Sequence, residues 1–147
     1  MGPGHDSETV ILSRQQCLAR LSSRGVGRVG VSMDALPVIL PVQFRVVGDS
    51  ILFATTRNTR LDTATTGAVI AFQADAYDAT DDVWWSVLLQ GKATSVGEPE
   101  DEAGIGPPTS GLWSSSGAES RFLRLGTDNM RGRSFPGVVY PFGLRPD

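Results

Sequence analysis

One cysteine in 147 residues, Cys17, excludes an intrachain disulfide and a thiolate metal cluster. The one histidine, His5, lies in a stretch, MGPGHDSETV, that reads as a mobile tail over residues 1–10, so no Ser-His-Asp triad or Cys-His pair can be assembled around it. Cys17 is therefore expected to be a small core residue. There is no G-x-S-x-G elbow and no Walker loop, and GVGRVG precedes a strand rather than opening a helix. No His/Cys/carboxylate cluster has metal-ligand spacing; Asp75, Asp78, Asp81 and Asp82 read as a solvated acidic loop. Long apolar runs are missing too. PVILPV and VWWSVLL fall far short of the ~20 residues that span a bilayer. The N-terminus has neither the basic nor the apolar region of a signal peptide, which leads us to expect a cytoplasmic protein. A net charge of −3 argues against a nucleic-acid partner.

What is present is enough for one globular domain over residues 1–147, with 40% hydrophobic and 20% charged residues. LSRQQCLARLSSRG is punctuated as a helix: Ser13 and Gln16 form a capping box, Leu12 and Cys17 a hydrophobic staple, and Gly25 a C-cap. The period then changes from 3.6 to 2. GRVGVSM and VILPVQFRVV alternate as strands, VGDS turns, and ILFATT returns antiparallel. AVIAFQA, apolar on both faces at its start, reads as a central fourth strand, and VWWSVLLQGKATSV as a long fifth one with a bend at Gly91. Residues 97–117 are a Pro/Gly/Ser-rich excursion. SRFLRL supplies a sixth strand, followed by the turn GTDN, the segment MRGRSF and a C-terminal tail over 136–147. Six antiparallel strands with few helices imply a mainly β (α+β) fold, most simply closed as a small barrel.

The strongest polar constellation is TTRNTR, residues 55–60, placed where a strand ends and a short helix begins. Hydroxyls, an amide, backbone N–H groups at a helix start and the guanidinium of Arg60 are the donors a phosphate needs, although the same residues also suit a solvated turn. In VWWSV, strand alternation sends one tryptophan inward and the other outward, where an indole marks a ligand or partner surface.

In their order and spacing, GRVGVS, LPVILPVQFRVVGDSILFATTRNTR, VIAFQAD, WWSVLLQGKATSV and RLGTDNMRGRSF resemble the pyridoxamine 5'-phosphate oxidase-like FMN-binding split-barrel family, in its short flavin- or deazaflavin-binding branch. The likeness spans roughly residues 10–135. It implies a six-stranded antiparallel split barrel that holds FMN at a homodimer interface. Leu40, Pro41, Val42 and Gln43 would line the isoalloxazine edge. Thr55 and Thr56 would flank the ribityl chain, and Asn58, Thr59 and Arg60 would bind the phosphate. Trp85 and Ser86 would pack near the flavin, and Met130 to Arg133 would reach the partner's cofactor. The tail FPGVVYPFGLRPD departs from the family's vitamin B6 oxidases, because it has Arg145 but no histidine to grip that substrate.

Three functions remain open on these grounds. The first is an FMN-binding oxidoreductase acting on an unknown small molecule. The second is a deazaflavin-dependent reductase, for which Arg57 offers an extra charge. The third is a non-enzymatic flavin or tetrapyrrole carrier, suggested by the missing histidine and by a plain serine at position 86.

Overall fold

A computed structural model of the chain describes residues 9–97 and 120–137. The expected tails and the 97–117 excursion fall almost entirely outside them. Within these bounds lie nine strands and two helices in the order β1 (Val10–Ile11), α1 (Arg14–Ser22), β2 (Val26–Met33), β3 (Leu36–Val47), β4 (Ser50–Thr56), α2 (Arg60–Thr65), β5 (Val69–Asp78), β6 (Val83–Lys92), β7 (Thr94–Val96), β8 (Ser120–Gly126) and β9 (Met130–Pro136). All pairings are antiparallel, and the strands follow the order β1-β9-β6-β5-β2-β3-β4-β8-β7.

The split of the barrel is visible in two strands. β3 pairs with β2 from Leu36 to Gln43 but with β4 only from Phe44 to Val47. β6 pairs with β5 and β9, and the chain then passes through Ala93 to become β7 on β8. The two half-sheets are thus joined through β3, which pairs with both, and by chain continuity at Ala93, and among the described residues no ladder between the edge strands β1 and β7 closes the ring. The break comes at Ala93 rather than at Gly91: Gly91 still pairs with Ile70, whereas at Ala93 the N–H keeps to the carbonyl of Ala68 in register but the carbonyl takes the Gly67 N–H, one residue out of register. Strand number rises from six to nine because the fifth strand divides, the edge pair β1 is added and MRGRSF is itself a strand. β5 also runs on through Asp78, so Asp75 is a strand residue rather than part of a loop.

Alternation explains the core. Val29 and Val31, Val42 and Phe44, Ile51 and Phe53, Ile70 and Phe72, Val87 and Leu89, and Leu123 and Leu125 are all buried. Phe44 and Phe72 meet edge to face at 4.9 Å. From α1, Cys17 and Leu21 join the same cluster, as expected for Cys17, and burial pushes its thiol pKa up. The capping box of Ser13 and Gln16 is formed, but α1 is capped at its end by Ser23. Gly25 instead offers its carbonyl to the Phe44 N–H, beginning β2. β5 does not have two covered faces at its start, since Ile70 is buried while Val69 is 76% exposed.

Helix α1 rests on β9 where there is no side chain to obstruct it. A Cβ built on Gly132 would collide with the sulfur of Cys17 and crowd Leu12. Gly132→Ala is therefore expected to lower stability by about 1–3 kcal/mol through overpacking, read as a lower denaturant midpoint with unchanged slope. An unchanged midpoint would show that this contact is looser than described.

Candidate functional site

β4 is buried along Ile51, Leu52 and Phe53 and then ends at the surface in a turn. Asn58 takes the left-handed conformation, φ 64°, which asparagine tolerates better than most residues. Thr59 then caps α2, its hydroxyl accepting from the Asp62 N–H at 3.1 Å and donating to the Thr56 carbonyl at 2.7 Å. Asp62 is the hub beneath this turn. Only 3% exposed, it accepts the Asn58 N–H at 2.8 Å on Oδ2, and on Oδ1 the hydroxyls of Thr55 (3.1 Å) and Thr66 (3.2 Å) and the Nε of Arg121 (2.6 Å). Burial alone would raise its pKa. The bonds from Asn58, Arg121, Thr55 and Thr66 outweigh that cost, leaving the carboxyl below the usual carboxylate range.

The outer side of the turn forms one wall of an open cleft of about 350 Å³, lined by Asn58, Thr59 and Arg60, by Thr63 and Ala64 of α2, and by Ser32, Met33 and Asp34. Asp34 and Ala35 form the two-residue β2–β3 turn, both with positive φ (52° and 66°), which holds the Asp34 carboxylate over the cleft. There it pairs with Arg60, and both side chains are about three-quarters exposed. A second cleft of about 330 Å³ adjoins the first at Ser32. It is largely apolar, with Pro37, Val38 and Ile39 on one side and Val69, Ile70 and Ala71 on the other.

The expected site residues divide accordingly. Asn58, Thr59 and Arg60 do share a cleft. Thr55 turns into the core toward Asp62, and Thr56 contributes its carbonyl to the cap. The helix start has fewer spare donors than expected, since the N–H groups of Asn58, Thr59 and Asp62 are all bonded within the turn. Arg57 is held by its Nε to the Ser120 carbonyl. Leu40, Pro41, Val42 and Gln43 continue β3 beyond the residues that line the second cleft, Val42 being in the core. Trp85 is buried. Ser86 faces outward, accepts from Gln73 at 3.0 Å, and neighbours Asp75 and Arg133 across the strands. The outward tryptophan is Trp84, 5.3 Å from Tyr77 and opposite Phe135. Asp62, Arg121, Asp34 and Thr63 were not singled out by the sequence reading. The spacing Thr59-x-x-Asp62 is a capping-box signal that could have drawn attention to Asp62.

The geometry defines a split-barrel protein with a polar cleft beside an apolar one. The sequence profile of the pyridoxamine 5'-phosphate oxidase family matches residues 13–133, and the chain belongs to that family. An uncharacterized protein of Mycobacterium tuberculosis is 36% identical over 106 residues, which cover 69% of this chain and 70% of the relative. The solved FAD-binding protein of Mycobacterium smegmatis is 26% identical with a TM-score of 0.66, over 86% of this chain and 98% of its own. A FAD- and haem-binding protein of the same organism, 21% identical with a TM-score of 0.64 over 93% of this chain and 77% of its own, shares the fold. Among the described residues no helix is long and apolar enough to cross a membrane, and no group of three or more His, Cys, Asp or Glu could hold a metal ion.

The depressed pKa of Asp62 gives a signed expectation. The stabilisation it supplies is present above the ordinary unfolded value near 3.9 and is lost as pH falls through that value toward the lower folded one. Denaturant midpoints measured from about pH 6 down to about pH 3 should fall more steeply for the native chain than for Asp62→Asn. Parallel curves would show that Asp62 titrates normally.

Proposed function

We propose that this chain binds a flavin nucleotide, with the phosphate at Arg60, Asn58 and Thr63 and the ring system toward the apolar cleft, and that it serves as a flavin-dependent oxidoreductase. The observation that carries this reading is the adjoining of the two clefts at Ser32, one lined by a guanidinium, an amide and hydroxyls, the other by aliphatic side chains. The donor set fits a phosphate, because a guanidinium with neighbouring neutral donors satisfies several oxygens at once. The strip Val38, Ile39, Val69 and Ile70 fits one side of a flat ring. FMN, with one phosphate, is the cofactor we favour for this polar cleft. FAD, which carries an adenylate extension on the flavin phosphate, is a second candidate, since one relative is a FAD-binding protein. A deazaflavin is the alternative.

Bound flavin would supply hydride or electron transfer. The protein would supply position, since Arg60 fixes one end and the aliphatic strip excludes water from the other. Among the described residues, Asp34 and Arg60 are the charged residues lining these two clefts.

A homodimer accompanies this reading. Leu36, Ile39 and Val69 are large apolar side chains exposed beside the second cleft, and β3 has no neighbour on its outer edge from Leu36 to Gln43 among the described residues. A second copy would cover both.

Titration with FMN, FAD and a deazaflavin, followed by flavin fluorescence, tests the proposal. Uptake of FMN or FAD supports it, preference for the deazaflavin shifts it to that cofactor, and uptake of none sinks it. Arg60→Ala should weaken FMN about 10- to 150-fold, the worth of a charge-assisted contact of ~1.5–3 kcal/mol, with little change in the denaturation midpoint. Asp34→Asn should act in the opposite sense. It removes a carboxylate that competes for Arg60 through an exposed pair worth only ~0–1 kcal/mol, so FMN should bind a few-fold more tightly. Weaker binding by Asp34→Asn would place the phosphate elsewhere.

A further inference from the structure

The pair of buried Asp62 and part-buried Arg121 has no place in the cleft lining, yet Asp62 holds the turn and the helix that form one wall of it. We infer that Asp62 is the positioning residue of the anion site and sets how strongly the protein prefers a phosphorylated flavin to an unphosphorylated one. This rests on the proposed placing of the phosphate at Arg60.

Asp62 fastens the left-handed Asn58 through its N–H, the end of β4 through Thr55, the far end of α2 through Thr66, and β8 through Arg121, which is 59 residues away in sequence. No side chain of the turn could hold Asn58 with φ 64° as firmly as a charged acceptor at 2.8 Å does. Arg60 is two residues further on, so its direction follows from the conformation of that turn. A buried ion pair is a poor way to gain stability, since apolar residues of similar volume often do as well or better. What it supplies here is a fixed geometry for a segment of short polar side chains that lacks apolar anchors between Thr55 and Arg60. The apolar cleft is built from β2, β3 and β5, to which Asp62 makes no hydrogen bond. Loosening Asp62 should therefore cost the phosphate contacts and spare the ring contacts.

FMN and riboflavin share the ring and differ in the phosphate, so the ratio of their affinities isolates the effect. In Asp62→Asn that ratio should fall about tenfold, with riboflavin affinity nearly unchanged. This variant also leaves Arg121 uncompensated, so Thr66→Val, which keeps both charges and removes one donor to Oδ1, provides a second reading and should lower the ratio about two- to threefold. Equal weakening of FMN and riboflavin would reveal a fold anchor only and overturn the inference. So would a ratio that stays at the native value in either folded variant. If Asp62→Asn does not fold, Thr66→Val decides alone. A native chain that binds both flavins equally removes the phosphate reading itself, whereas a native preference for FMN that survives in the variants removes only the role of Asp62.

Discussion

The structure turns on one carboxylate buried at the end of a strand that is covered on both sides. Ile51, Leu52 and Phe53 are buried, and three residues later the chain must leave the core and reverse into a helix. A polar turn so close to the core leaves backbone groups that water cannot reach, and each would cost free energy if unpaired. Asp62 helps to meet that need: its two oxygens accept the Asn58 N–H and three side-chain donors, from Thr55, Thr66 and Arg121. The desolvation of its charge is offset because one donor, Arg121, carries the opposite charge at 2.6 Å. The same bonds tie β4, α2 and β8 into one corner, so the outer surface of the turn is as well fixed as its inner surface.

The position of the clefts follows from how the barrel splits. β3 changes partners between Gln43 and Phe44, and before that point its far edge has no neighbour among the described residues. Proline is tolerated there because an unpaired edge requires no N–H, and Pro37 and Pro41 both occupy that stretch. The second cleft lies along this region, between β3 and the start of β5, where Val69 and Ile39 stand out from the sheet. The β2–β5 ladder stops at Gly30 and Ala71, and the apolar cleft lies where that pairing ends. The hairpin at its end brings Asp34 to Arg60.

Local periodicity made much of this legible in the sequence. The capping box of α1, the tight turn at Gly48, the alternation of β2 and β3, and the opposite facing of the two tryptophans all follow from spacing alone, while which of the two is buried, Trp85, is seen in the structure. So could the inward aim of Thr55 have been read, because Ile51, Phe53 and Thr55 share the parity of one strand face. β9 was harder to recognise. Its inward positions include Gly132 and Ser134 and its outward ones Arg131, Arg133 and Phe135, so it carries no regular apolar alternation, and it is its ladders to β6 and β1 that make it a strand. Asp62 and Arg121 were illegible as a pair for a different reason: nothing local relates two charges 59 residues apart until β4 and β8 are in register, Thr55 against Arg121.

The two carboxylates on either side of the turn illustrate what separates a scaffold from a binding group. Asp62 and Asp34 each meet an arginine, but one pair is buried with its charges satisfied and the other stands about three-quarters exposed. The exposed pair is screened by water and weak, so an incoming dianion can exchange for Asp34 at little cost. The pair of Asp62 with the part-buried Arg121 is costlier to break, because Asp62 alone would be left an uncompensated charge away from water. Under the proposed phosphate placement, the turn would release one carboxylate while keeping its shape, and the two kinds of pair suit those two demands. The sequence TTRNTRLD places Arg60, which belongs to the exchangeable pair, two residues before Asp62, which belongs to the permanent one.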